Sequence, residues 1–120
     1  MTQVQIGGKE YPVKLGIGAM IRFQREAGQD CTLFLEEMDA AFAEAGQDPA
    51  KVARVVFSRL GNLATLFHAA IENGLSVSGG QPLEMDALQL ADQLSISDVS
   101  AIYAAVTSTL VPAPESGEAK

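Results

Sequence analysis

The stretch from Asp48 to Gly74 constrains the fold more than any other part of the chain. Asp48 is a favourable N-cap, and Pro49 suits the first helical position, where its missing N–H is no loss. Asn73 and Gly74 favour the left-handed turn that ends a helix. The main apolar row between these signals contains Val52, Val56, Leu60, Leu63, Phe67 and Ala70. Further apolar residues cover most of the remaining circumference, so the pattern predicts one buried central helix over residues 49–73.

Gly61 lies inside this predicted helix, where glycine costs roughly 1 kcal/mol relative to alanine. It therefore indicates either a bend or a place where a neighbouring element approaches closely. The stretch also carries several charged side chains, and its apolar runs are well short of the ~18 residues that indicate a membrane span.

The composition limits the classes of function. The 120 residues suffice for one domain with its own core, and 48% hydrophobic against 19% charged residues excludes global disorder. A net charge of −7 argues against nucleic-acid binding, which needs clustered Lys and Arg. The single cysteine cannot form an internal disulfide, and the N-terminus carries no signal pattern, so we expect a cytosolic protein.

The first fifteen residues predict a β-hairpin over residues 3–15. Its apolar face consists of Val4, Ile6, Tyr11, Val13 and Leu15. A two-residue Gly7-Gly8 turn would place Val4 opposite Tyr11, whereas a four-residue loop would place Ile6 there; both registers keep the same apolar face. Pro12 indicates an edge strand.

The rest of the chain predicts an α+β, mostly α fold, with the hairpin followed by about five helices around the long central one. The helices are expected near residues 17–27, 31–45, 49–73, 84–94 and 97–110, in a single domain over 1–110 with a flexible tail over 111–120. The pattern in the first helix places Ile17, Met20, Ile21 and Ala27 inward, and in the fourth Met85, Leu88, Ala91 and Leu94. Ser95 to Asp98 matches a capping box at the start of the last helix.

The charge is unevenly distributed. Residues 30–48 contain six acidic and no basic side chains, whereas the basic residues Arg22, Arg25, Lys51, Arg54 and Arg59 lie in the flanking helices. The simplest interpretation is charge complementarity between neighbouring helices, since surface charge alone is weak evidence of function.

The sequence contains too few parts for a catalytic or metal site. His68 is the only histidine and Cys31 the only cysteine, so neither a zinc site nor a Cys–His pair can be assembled. We expect His68 to be structural and Cys31 to be a small packed residue, although a position near a helix start can lower a thiol pKa. No cofactor motif is complete, and an enzyme is not expected.

The order of parts resembles the tail assembly chaperones of long-tailed bacteriophages and prophages. The resemblance covers roughly residues 3–110 and depends on the hairpin VQIGGKEYPVKLG, a short helix ending REAGQD, and the later segment DQLSISDVSAIYAAV. It implies a non-enzymatic protein of the bacterial host cytoplasm, absent from the mature virion and made without a frameshift as the short form. The implied partner is the tape measure protein, with the tail tube protein, a frameshifted long form and self-association as further expectations. No nucleic acid, membrane or cofactor is implied.

A protein that shields amphipathic helices should expose apolar surface beyond its own core. The central helix has more apolar surface than four short neighbours need, and the predicted partner-binding residues are Leu66, Phe67 and Ile71. The alternative is that all three are ordinary core. Two other classes stay open for the whole chain: a small structural tail or connector subunit, and an unrelated cytosolic adaptor.

Overall fold

A computed structural model describes residues 2–110, which form a two-stranded antiparallel hairpin followed by six helices. The elements are β1 (Gln3–Ile6), β2 (Lys9–Pro12), α1 (Ile17–Ala27), α2 (Cys31–Ala45), α3 (Pro49–Ser58), α4 (Leu60–Ser78), α5 (Ala87–Ala91) and α6 (Ile96–Ser108). The predicted α+β, mostly α class is confirmed, with one helix more than expected. The predicted tail over 111–120 lies outside the described residues.

The hairpin takes the tighter of the two predicted registers, with Val4 opposite Tyr11. Gly7 and Gly8 have φ values of 61° and 79°, which a two-residue hairpin turn of this kind requires. The predicted apolar face is buried, and it packs against α4 and α6. Pro12 stands opposite Gln3 at a position where the ladder forms no hydrogen bond, so its missing N–H costs nothing.

The central stretch is two helices, and the prediction of one unbroken helix is wrong. Arg59 leaves the helical conformation with φ −136° and ψ 27°, and it both ends α3 and begins α4. The apolar residues of this stretch lie on several faces, which one straight helix could bury only with neighbours on all sides. The break lets α3 pack on α2 and α6 while α4 packs on α1, α5 and β2. Of the two roles considered for Gly61, close approach of a neighbour is not supported, since a Cβ there would meet no atom within 4 Å, and the break itself lies two residues earlier, at Arg59.

Helix α4 also continues beyond its predicted end. The left-handed residue that ends it is Gly79, with φ 79°, and not Gly74. Gly74 lies inside the helix, against the backbone of β2. A Cβ at this position would overlap the Pro12 carbonyl and lie 2.9 Å from the Cα of Val13. Its function is therefore close packing of α4 on the hairpin and not termination of the helix.

Helix α1 is rotated about its axis relative to the prediction. Its core residues are Ala19 and Phe23, both fully buried, and Phe23 packs on Phe34 of α2 with ring centroids 5.1 Å apart. Ile17 and Ile21, which were expected inward, are 77% and 44% exposed. The inward prediction is therefore wrong for both isoleucines.

The side of α1 that carries its glycines packs against α4 at the start of the helix. This contact explains the rotation. Gly16 and Gly18 face Asn73, and the Asn73 side-chain amide donates a hydrogen bond to the Lys14 carbonyl at 3.0 Å. One turn further on, Arg22 lies 3.5 Å from Glu72 on the same side of α1. With this side held on α4 and Phe23 in the core, the isoleucines face away from the protein.

Helix α5 is shorter than predicted at both ends, and α6 begins one residue and ends two residues earlier than predicted. Helix α5 is confined to Ala87–Ala91 because Asp86 forms a reciprocal capping box with Gln89. Leu90 is fully buried, whereas Leu88, expected inward, is 74% exposed. At Ser95 the predicted capping box does not form; its hydroxyl lies 2.9 Å from that of Ser97 instead. Within residues 2–110, none of the helices combines the length and apolarity that crossing a bilayer requires.

Candidate partner-binding surfaces

The three residues predicted to bind a partner are core residues in the structure. Leu66, Phe67 and Ile71 lie on α4, and none of them has any exposed surface. The central helix has no surplus apolar surface at these positions because α1, α5, α6 and β2 all pack around it. The expectation of an exposed apolar surface at these positions is corrected accordingly.

His68, next to them on α4, anchors the segment that precedes α5. Its Nε2 lies 2.7 Å from the Met85 carbonyl oxygen. Because a carbonyl can only accept, Nε2 must carry the proton. Nδ1 faces the Glu72 carboxylate at 3.6 Å, and Glu72 also contacts Arg22. These contacts link α4 to α1 and to Met85, and they give His68 the structural role that the sequence predicts.

Cys31 is a buried thiol at the start of α2. Burial, with a smaller contribution from the neighbouring Asp30 carboxylate, raises its pKa from 9.0 to about 11. The alternative considered from the sequence, a pKa lowered by the helix start, is wrong. At neutral pH the side chain is protonated and behaves as a small apolar residue, without the thiolate that nucleophilic or metal-binding chemistry uses.

The exposed apolar residues that do exist include a group at one end of the α1–α4 pair, which we call the α1 face: Ile17, Ile21 and Val77. Ile17 and Ile21 are one helical turn apart on the outer side of α1. Val77 is 52% exposed, and it follows Asn73 by one turn on the same side of α4. Asn73 faces Gly16 and Gly18, so Val77 lies at the end of the helix pair from which Ile17 projects.

Basic side chains border the α1 face. Arg22 and Arg25 are exposed on α1, and only Arg22 has an acidic partner among the described residues, at 3.5 Å from Glu72. The surface therefore has an apolar centre and a positive border, in a chain whose net charge is −7. Its chemistry suits an amphipathic helix with an apolar stripe and acidic flanks.

A second surface lies between α2 and α3, where opposite charges line one groove without forming ion pairs among the described residues. Within residues 2–110 no nitrogen of Lys51, Arg54 or Arg59 comes within 4.0 Å of a carboxylate oxygen. The two helices border an open groove of about 550 Å³ in which Glu44 of α2 faces Lys51, Arg54 and Arg59 of α3. The predicted complementarity thus takes the form of opposite charges on the two sides of one groove, without a direct ion pair among the described residues.

Asp39 is the exception among the carboxylates of α2. The Tyr103 hydroxyl donates to Asp39 Oδ1 at 2.8 Å and lies 3.2 Å from the Leu35 carbonyl oxygen. Burial, followed by this hydrogen bond and the charge of Asp39, raises the pKa of Tyr103. Asp39 thus joins α6 to α2, although it is exposed to solvent as Glu36, Glu37 and Glu44 are.

The described part of the chain contains no group of three or more His, Cys, Asp or Glu side chains that could hold a metal ion. Comparison with protein-family models, with curated proteins and with solved structures found no match to this chain. The functional argument therefore depends on the surfaces described above.

Proposed function

We propose that the chain is a non-enzymatic tail assembly chaperone of a long-tailed bacteriophage or prophage. The observation that carries the proposal is the α1 face, where Ile17, Ile21 and Val77 expose apolar surface beside two arginines. The element order that resembles this family, a hairpin followed by α-helices, supports the same assignment.

The proposed client is the tape measure protein, a long helical chain with apolar stripes. An amphipathic helix laid on the α1 face would cover the isoleucines with its own apolar row. Its acidic flanks would meet Arg22 and Arg25. An apolar contact of this small size gives weak binding at each site, which many copies along one client would compensate. Tail tube subunits could then displace the chaperone in the host cytoplasm.

Co-expression tests this function directly. The long helical protein encoded by a neighbouring gene should stay soluble with the wild-type chain and aggregate with the double variant Ile17→Ser/Ile21→Ser. Leu88→Ser is the matched control, because Leu88 is as exposed as Ile17 but lies on α5. The proposal is contradicted if the client is insoluble with the wild-type chain, or if the double variant protects it as well as the control does.

One observation favours the alternative of a structural tail subunit. The outer edge of β1 carries the main-chain groups of Gln3 and Gln5, which the hairpin ladder leaves unpaired. Such an edge can accept a strand from a neighbouring subunit. Mass spectrometry of purified virions distinguishes the two functions, since a chaperone is absent from the particle and a structural subunit is present in it.

A further inference from the structure

We infer that the unpaired charges of α2 and α3 form a self-complementary surface that binds a second copy of the chain. We call it the α2–α3 face, and it consists of Leu33, Glu37, Glu44, Lys51, Arg54 and Val55. The inference concerns a different surface from the α1 face and does not depend on the proposed function.

The acidic half of the surface is one row of α2. Leu33, Glu37 and Glu44 are separated by four and seven residues, so they project from the same side of the helix. All three are exposed. Glu37 accepts one hydrogen bond from Gln29 through Oε1, at 3.2 Å, and Glu44 forms neither a hydrogen bond nor a salt bridge with another described side chain. Both carboxylates can therefore still pair with a cation of another chain.

The basic half is the neighbouring row of α3. Arg54 and Val55 follow Lys51 by three and four residues, and all three line the groove between the helices. Lys51 and Arg54 are exposed, and neither has a carboxylate within 4.0 Å in the described chain. Only Glu44 contributes negative charge to this groove. The basic row is thus not paired with a carboxylate within residues 2–110.

The second copy is the occupant because the chain itself carries the complementary charge pattern. Helices α2 and α3 are joined by Gly46–Asp48 and lie side by side. If two such faces meet about a two-fold axis, α2 of each chain lies on α3 of the other. Each contact then pairs an acidic row with a basic row, and the same pairing occurs twice. Leu33 in the acidic row and Val55 in the basic row add apolar surface to the face.

The size of the surface sets the expected strength. Helix α2 has 15 residues, or about 22 Å at ~1.5 Å per residue. Two helices packed ~9 Å apart give a face of only a few hundred Å² per partner. Such a dimer should be weak, with association that depends strongly on ionic strength.

Charge reversal in the full chain tests the inference. The variants Glu37→Lys/Glu44→Lys and Lys51→Glu/Arg54→Glu should each weaken self-association at least ~tenfold, because like charges then face each other. A mixture of the two variants should form a heterodimer, since each supplies the charge that the other lacks. Glu10→Lys/Glu84→Lys, which changes the net charge at exposed sites elsewhere by as much as Glu37→Lys/Glu44→Lys does, should dimerise as the wild type does.

Sedimentation and light scattering at ~20 mM and ~500 mM salt provide the measurement. Circular dichroism of each variant verifies that the fold is retained. If charge reversal prevents folding, the neutralised variant Glu37→Gln/Glu44→Gln replaces the reversed variant in the same measurement. A wild-type chain that stays monomeric at low salt overturns the inference. So does self-association that neither reversal weakens, or a mixture of the two variants that does not associate.

Discussion

Helices α4 and α1 use the same kinds of side chain in opposite ways. Leu66, Phe67 and Ile71 of α4 are fully enclosed, whereas Ile17 and Ile21 of α1 face solvent. The difference lies in the number of neighbours. Helix α4 packs against α1, α5, α6 and β2, so most of its circumference can be apolar, while among the described elements α1 packs only on α4 and α2. An apolar row on a peripheral helix is therefore the better indicator of a binding surface.

Shortening a side chain to alanine should give the largest difference in stability between the two helices. Phe67→Ala removes a large side chain from a site with no exposed surface, so we expect a loss of about 3–5 kcal/mol in the free energy of unfolding. Ile17→Ala should change it by no more than ~0.5 kcal/mol, since most of that side chain already contacts water. Denaturant unfolding measures both values. Equal losses of unfolding free energy would contradict the assignment of Phe67 to the core and Ile17 to the surface.

Two glycines of α4 should respond in opposite directions to the same substitution. Gly74→Ala places a methyl group into the backbone of Pro12 and Val13, so we expect a loss of about 1–3 kcal/mol. Gly61→Ala meets no atom within 4 Å and should stabilise the chain by up to ~1 kcal/mol through helix propensity. Thermal unfolding compares them. A neutral Gly74→Ala would contradict the close packing of α4 on the hairpin.

Burial of Cys31 also predicts that the stability of the fold depends on pH. The folded chain keeps Cys31 protonated up to a pKa of about 11, while the unfolded chain releases this proton from pH 9.0 upward. Stability is therefore fully present below pH 9 and is lost as the pH rises towards 11. Chemical unfolding between pH 9 and 10 measures the slope, and Cys31→Ala should make it shallower. An unchanged slope would show that the thiol is not shielded.

Much of the fold could be predicted because local signals determined it. The alternation of the hairpin, the glycine after α1 and the Asp30 cap gave both strands and the bounds of α1 and α2. The end of a helix at Arg59 could not be predicted, because no glycine, proline or capping side chain stands at that residue, and Gly61, two residues later, indicated a bend only as one of two alternatives. It follows from how α3 and α4 pack on different neighbours, which is a property of the assembled fold.

The candidate surfaces were harder to predict than the elements. Helix α1 has two apolar stripes, and periodicity alone does not decide which of them is buried. The side occupied by Gly18 and Phe23 contained the missing signal, since glycine permits close approach and the aromatic ring fills the core. For α2 and α3, opposite charges in neighbouring helices suggested pairing, but the side chains project to one face without meeting.

Thiol labelling with and without the client tests most directly the central claim that the α1 face binds it, and not the core positions of α4 that the sequence predicted. Ile17→Cys and Ile71→Cys should be compared, with buried Cys31 as an internal unreactive thiol. We predict fast labelling of Ile17→Cys in the free chain, slowed at least ~tenfold by the bound client. Ile71→Cys should react in neither state. The claim is contradicted if Ile17→Cys is protected in the free chain, or if the client leaves its labelling rate unchanged.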